Sequence, residues 1–171
     1  KVDDRSFHPF WDHVRDLGIP VFWYVSGGQS REDYLSELAA FGRWNERYTE
    51  VPVMFTHGHP LGRFMDGDRF SIPEVAWKPL MAPNVVVEIL LPIFGGAIWD
   101  YPYEEARPVV REYYERLGPD KLAWGSDMPN VERHCTYRQS LDYLKLHCDF
   151  IPSHDMAKIC GGNVARMFGR E

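Results

Sequence analysis

The sequence predicts a parallel α/β fold, and two observations carry that expectation. Four short runs rich in β-branched and aromatic residues, at 19–25, 51–56, 85–91 and 122–125, are nearly continuous in apolar character rather than alternating. That is the pattern of strands buried on both faces. Between them lie segments with helical period and recognisable end signals, and strand then helix, repeated, argues for right-handed βαβ units with helices packed outside the sheet.

Each element has its own justification. After the first strand, Ser30 offers a hydroxyl cap to a helix opening Arg31-Glu32-Asp33, and Tyr34, Leu38, Phe41 and Tyr48 recur on one face. After the second, the stretch 64–83 breaks the rhythm with Gly67, Pro73, Pro79 and Pro83, which predicts a short helix with loops. The third strand precedes a helix in which Pro108 fits the first turn; Val109, Val110, Tyr113, Tyr114 and Leu117 follow, with Gly118 as the expected left-handed stop. The fourth precedes a helix from about Thr136 with Tyr137, Leu141, Leu144 and Cys148 on one side. A last helix begins near Ser153, is interrupted at Gly161-Gly162, and is expected to restart with Asn163 as its cap. No internal repeat is visible, and residues 1–171 read as a single domain.

Composition excludes several classes of function. With 171 residues, 44% hydrophobic and 26% charged, the chain is long and apolar enough for a core, so disorder is excluded. No apolar run approaches the eighteen or so residues of a membrane span. Lys and Arg number 19 against 25 Asp and Glu, a net charge of -6, with no basic tract to follow a phosphate backbone, so no nucleic-acid partner is expected. Cys135, Cys148 and Cys160 are odd in number and widely spaced, fitting neither a zinc knuckle nor a disulfide framework. They are expected to be small apolar fillers, and a reducing cytoplasm is the expected home. The opening Lys1-Val2-Asp3-Asp4-Arg5 carries neither an initiator Met nor a targeting signal, and the chain is expected to be a piece of a longer one.

The candidate chemistry lies at the strand ends, because ligands of parallel α/β folds bind outside the carboxyl ends of the strands. The second strand ends Thr56-His57-Gly58-His59-Pro60 and the fourth Trp124-Gly125-Ser126-Asp127-Met128-Pro129; the third carries Glu88, and the first ends Tyr24-Val25-Ser26-Gly27-Gly28. An imidazole and a carboxylate on different strands can converge as metal ligands or as a general acid/base pair. Each also has a structural reading: His57 as a buried, hydrogen-bonded histidine, and Asp127 as the closure of an Asx turn. His59, followed by Pro, is expected on a loop with its ring near the mouth of the site, and His134 on the loop after the fourth strand. Glu88, flanked by Val87 and Ile89, needs a partner to stay charged; a pocket-lining role and a structural hydrogen bond are both open. The glycine-rich dinucleotide motif, the P-loop and the G-x-S-x-G elbow are all missing.

Two segments carry a resemblance. Leu117-Gly118-Pro119-Asp120-Lys121-Leu122-Ala123-Trp124-Gly125-Ser126-Asp127-Met128-Pro129, followed by Ile159-Cys160-Gly161-Gly162-Asn163-Val164-Ala165-Arg166-Met167-Phe168, resembles the end of the amidohydrolase-related proteins. These are metal-dependent TIM-barrel hydrolases and decarboxylases, including aminocarboxymuconate semialdehyde decarboxylase and the dihydroxybenzoate decarboxylases. Upstream, Phe7-His8-Pro9-Phe10-Trp11 looks like the helix leading into the fifth barrel strand, and Thr56-His57-Gly58 like the end of the sixth. The resemblance covers nearly the whole chain but only the second half of a TIM-like (β/α)8 barrel, which takes about 250 residues; this chain supplies four βα units.

The resemblance implies that Asp127 is a metal ligand and that His57 acts on the substrate or the metal-bound water. It implies a divalent metal, zinc first, with manganese, iron or cobalt as alternatives. The reaction implied is hydrolysis or non-oxidative decarboxylation of a small carboxylate. The family's His-x-His pair lies on the first barrel strand, outside this chain, and the fifth strand reads Pro20-Val21-Phe22-Trp23-Tyr24-Val25, without the family's histidine. Trp23 and Tyr24 there make an aromatic pocket wall suited to a flat aromatic or unsaturated carboxylate. A homo-oligomer, or association with the missing half of the barrel, is the expected assembly. The alternative is a diverged, non-catalytic relative that serves in assembly without metal.

Overall fold

Strand and helix alternate from the first residues. Helix α1 (His8–Leu17) leads into β1 (Val21–Trp23), and α2 (Arg31–Arg47) into β2 (Val53–Phe55). A two-stranded hairpin, β3 (Met65–Asp66) with β4 (Arg69–Phe70), and the short α3 (Glu74–Trp77) precede β5 (Val85–Ile89). Then come α4 (Arg107–Leu117), β6 (Leu122–Trp124), α5 (Tyr137–His147), α6 (Ser153–Ala157) and α7 (Asn163–Met167). This is a computed structural model, and it describes residues 1–26, 28, 30–66, 69–90 and 100–170.

The sheet order is β1-β2-β5-β6, every pair parallel, with Val21 opposite Val53, Val53 opposite Val85 and Val87 opposite Leu122. The expected fold, four parallel strands in chain order, is thus the one observed. The strands are shorter than their apolar runs. Residue 91, the expected end of the third, lies outside the described residues, as does Gly67.

Side chains alternate across a strand. One face of the sheet carries Trp23, Val53, Phe55, Val85, Val87 and Leu122, packed into the core with Leu38, Phe41 and Trp44 of α2 and Val110 and Tyr113 of α4. The opposite face carries Phe22, Tyr24, Met54, Val86, Glu88 and Ala123. At the edge strand it lies open: Phe22 is 60% exposed and Tyr24 62%. The expectation of burial on both faces therefore fails at β1, where the Phe168 ring lies 6.4 Å from Phe22 and the His57 ring 4.9 Å from Tyr24 and yet both side chains stay exposed.

End signals act largely as read. Ser30 Oγ accepts from the Asp33 N–H (3.0 Å), and Thr136 and Gln139 form a reciprocal capping box at the start of α5. Two details differ. Gly118 is not a left-handed stop, since its φ of 77° is joined to an extended ψ of 161° that turns the chain directly toward β6; the left-handed glycine is Gly18, ending α1. Asn163 does not cap α7 but lies within it, buried, and its Nδ2 donates to the carbonyls of Pro119 and Leu122, both at 2.7 Å. The expected interruption at Gly161-Gly162 is present as a kink between α6 and α7, where Gly161 has non-helical backbone (φ 167°, ψ -30°). Cys135 and Cys148 are buried and Cys160 half-buried, all three as free thiols. Among the described residues no helix is long and apolar enough to cross a membrane.

Candidate active site

At the end of β2, Thr56 is still tied to β1, both its N–H (2.8 Å) and its hydroxyl (3.0 Å) donating to the Trp23 carbonyl. The chain then turns sharply through His57 (φ 71°) and Gly58 (φ 60°), both left-handed. Gly58 must be glycine, because a Cβ there would lie 2.8 Å from Tyr113 Oη. The same hydroxyl accepts the His59 N–H at 2.6 Å.

The turn sends two histidines in different directions. The His57 ring is half-buried and lies 4.9 Å from the ring of Tyr24. His59 does not reach the mouth of the site: it is 1% exposed, its ring set among Tyr34, Phe64, Trp77 and Tyr113, with Nδ1 2.8 Å from Tyr34 Oη. Burial there pushes its imidazole pKa down to about 3. The aromatic cage and the buried tyrosine hydroxyls draw it into the core. Trp23 likewise departs from its expected place in the pocket wall. By the alternation of β1 it faces the helices, 4.5 Å from Trp44, 4.9 Å from Phe41 and 5.6 Å from Trp11, and Tyr24 alone of the pair faces the open side.

Glu88, on β5 between β2 and β6, is half-buried. Burial raises its pKa, the neighbouring His57 opposes that rise, and the charge of Asp127 adds to it. On its other side lies Gly125, where a Cβ would come within 2.5 Å of Glu88 Cδ and 2.6 Å of Cγ. Asp127 follows two residues on, half-buried and left-handed (φ 52°). Its carbonyl accepts the Val131 N–H (3.1 Å), and its Oδ1 accepts from Asn130 Nδ2 (3.3 Å), local bonds of the kind the turn-closing reading expected. His134 lies exposed beyond the following 3-10 turn, its carbonyl accepting from Tyr103 Oη.

The structure therefore brings together His57, Glu88, Asp127 and Tyr24, and separates Trp23 and His59 from them. Left-handed backbone is uncommon outside glycine. Among the described residues it occurs at His57, Tyr103 and Asp127 alone, two of the three being the candidate reacting groups. Sequence reasoning missed Tyr113, Gly58 and Gly125; a glycine just after each strand end was the available signal. Among the described residues no group of three or more His, Cys, Asp or Glu could hold a metal ion.

A family model described as Amidohydrolase matches residues 1–170. The chain belongs to the amidohydrolase family. Among solved structures, this chain is similar to an uncharacterised TIM-barrel protein from Bordetella bronchiseptica, at 20% identity over 98% of this chain and 52% of that one, TM-score 0.64. It is similar also to an amidohydrolase from Burkholderia multivorans with bound zinc, at 15% identity over 99% and 59%, TM-score 0.76. A third is 2,6-dihydroxybenzoate decarboxylase from Rhizobium, at 14% identity over 98% and 56%, TM-score 0.65. No curated protein matches it. At these identities the likeness is one of fold, and the chain spans little more than half the length of each of these structures, as part of a barrel would.

Proposed function

We propose that this chain is the half of a barrel enzyme that carries the proton-transfer group, His57, and one metal ligand, Asp127. The complete enzyme would hydrolyse or decarboxylate a small carboxylated aromatic or unsaturated compound. The observation that carries this reading is that His57 and Asp127, at the carboxyl ends of β2 and β6, are both held in left-handed backbone around one carboxylate, Glu88. The zinc of the Burkholderia amidohydrolase and the activity named for the Rhizobium decarboxylase support the metal and the substrate class.

A divalent metal, zinc first, would polarise a carbonyl or activate a water when bound. Asp127 suits it as one oxygen ligand; the described residues do not complete a coordination shell, and further ligands would come from outside them. Tyr24, with its ring open on the same side as His57, would stack against a planar substrate. In decarboxylation His57 delivers a proton to the ring carbon as the carbon–carboxylate bond breaks and its electron pair returns to that carbon. In hydrolysis His57 takes the proton of the attacking water. His134 is assigned to the rim of the same pocket.

The test uses the full-length protein with metal analysis and turnover of 2,6-dihydroxybenzoate, the substrate named for the Rhizobium relative. Asp127→Asn is expected to lose both metal and turnover. His57→Ala is expected to keep its metal while its rate falls by about 10²-fold or more. Equal loss of metal in both variants would make His57 a ligand, and wild-type protein purified without metal or turnover would favour the assembly-only alternative.

A further inference from the structure

We propose that Tyr113 is a positioning residue for His57: its hydroxyl, carried by α4, accepts the His59 backbone N–H and so closes the left-handed turn that places the His57 ring. The inference rests on the proposed role of His57 and names the group that fixes where that ring lies. A histidine at φ 71° followed by a residue at φ 60° is a backbone that persists only where the surroundings over-determine it. Here they grip it from both ends. Before the turn, Thr56 is tied to β1 by two bonds to the Trp23 carbonyl; after it, the His59 N–H donates to Tyr113 Oη at 2.6 Å.

Tyr113 sits on the buried face of α4 with Val109, Val110 and Leu117, where a phenylalanine would fill the core without bringing in a polar atom that needs a partner. Its oxygen is used on the turn twice over. It takes the His59 N–H, and it stands where a Cβ on Gly58 would come within 2.8 Å, so it meets both residues that follow His57. The His59 side chain has a separate anchor, its Nδ1 lying 2.8 Å from Tyr34 Oη. Without the bond to Tyr113 that ring would still hold its place in the core, as Thr56 would hold its place on β1. The slack would open between these two fixed points, at His57 and Gly58. Because α4 follows β5, the neighbour of β2 in the sheet, one βα unit secures the turn of the next. Burial also pushes the Tyr113 phenol pKa up, which keeps the hydroxyl neutral and favours positioning over a direct part in the reaction.

The experiment compares Tyr113→Phe with Tyr103→Phe in the full-length protein, isotope-labelled at histidine. Tyr103, just before α4, is the matched control: it too is buried, but its hydroxyl donates to the His134 carbonyl (3.0 Å), on the loop after β6. Hydrogen exchange of the His59 N–H, the NMR shifts of the His57 ring nitrogens and cross-relaxation between the His57 and Tyr24 rings, 4.9 Å apart, are read beside kcat and KM on 2,6-dihydroxybenzoate. Tyr113→Phe is expected to lower protection of the His59 N–H by about 10-fold, the scale of one hydrogen bond. It should also shift the His57 ring signals and weaken their contact with Tyr24. Turnover is expected to fall by about 10²-fold in kcat with KM little changed, the scale of a small misplacement. Tyr103→Phe is expected to leave the His59 exchange and the His57 ring signals as they are in the wild type. Unchanged exchange and ring signals in Tyr113→Phe would overturn the proposal. So would the same changes in Tyr103→Phe, since the loss of any buried tyrosine hydroxyl would then loosen the turn. If the wild type does not turn over this substrate, the proposed activity on that substrate fails, while the exchange and ring measurements still decide the role of Tyr113.

Discussion

His57 and His59 are separated by one glycine, and the fold gives them opposite chemistry. The second stays neutral because protonating it inside a cage of aromatic rings would strand a charge away from water. That neutrality has a measurable consequence. Folded, His59 accepts a proton only near pH 3; unfolded, it does so near 6.5. Between those values the unfolded chain binds more protons, so stability is fully present above about 6.5 and falls as pH falls, this residue contributing about 1.4 kcal/mol per pH unit. Urea denaturation at several pH values should show His59→Leu losing that part of the slope; an unaltered slope would assign the acid sensitivity elsewhere. The sequence placed His57 and Asp127 correctly at strand ends, because strand ends are visible in apolar runs. It could not place His59, because two left-handed residues in a row reverse which way the next side chain points, and Trp23 fell on the wrong face for want of a fixed register.

At the scale of elements, what was legible is what is local. Ser30 and Thr136 cap their helices through partners three residues away, well inside the window in which a pattern can be read. Asn163 looks like a cap by the same rule, yet its amide reaches carbonyls more than forty residues upstream, at Pro119 and Leu122. It is the tie between the last helix and the last strand. Asn163→Ala would leave two carbonyls unpaired, one of them buried, and is expected to cost about 2 kcal/mol. In a chain of this size that corresponds to a fall in Tm of about 4–8 °C by calorimetry. A fall no larger than that of an exposed alanine substitution would mean that water replaces the amide. The Glu88–Gly125 pair was hidden for the same reason, since its members lie on different strands and meet only once the sheet has formed.

Among the described residues the main sheet has four parallel strands, with β1 and β6 at its edges. Edge strands and exposed apolar surface invite pairing. Phe10, Leu17, Ile19, Phe22 and Tyr24, at 49–62% exposure, crowd the β1 side. The 171-residue chain expressed alone is therefore expected to self-associate, with a mass by light scattering above the 20.0 kDa of a monomer; a stable, monodisperse monomer would contradict this. The same edge carries its own optical label. Trp11, Trp23 and Trp44 stand with ring centroids 4.5–5.6 Å apart, so close that their excited states are shared and not separate. Such a trio gives a paired positive and negative band in ultraviolet circular dichroism and a quenched emission, while Trp77 and Trp124 sit elsewhere in the chain and report on other packing. Fraying of α1 and β1 would extinguish the coupled signal before the remaining fluorescence changed, so the spectrum of the unmodified protein distinguishes an edge coming loose from a domain coming apart.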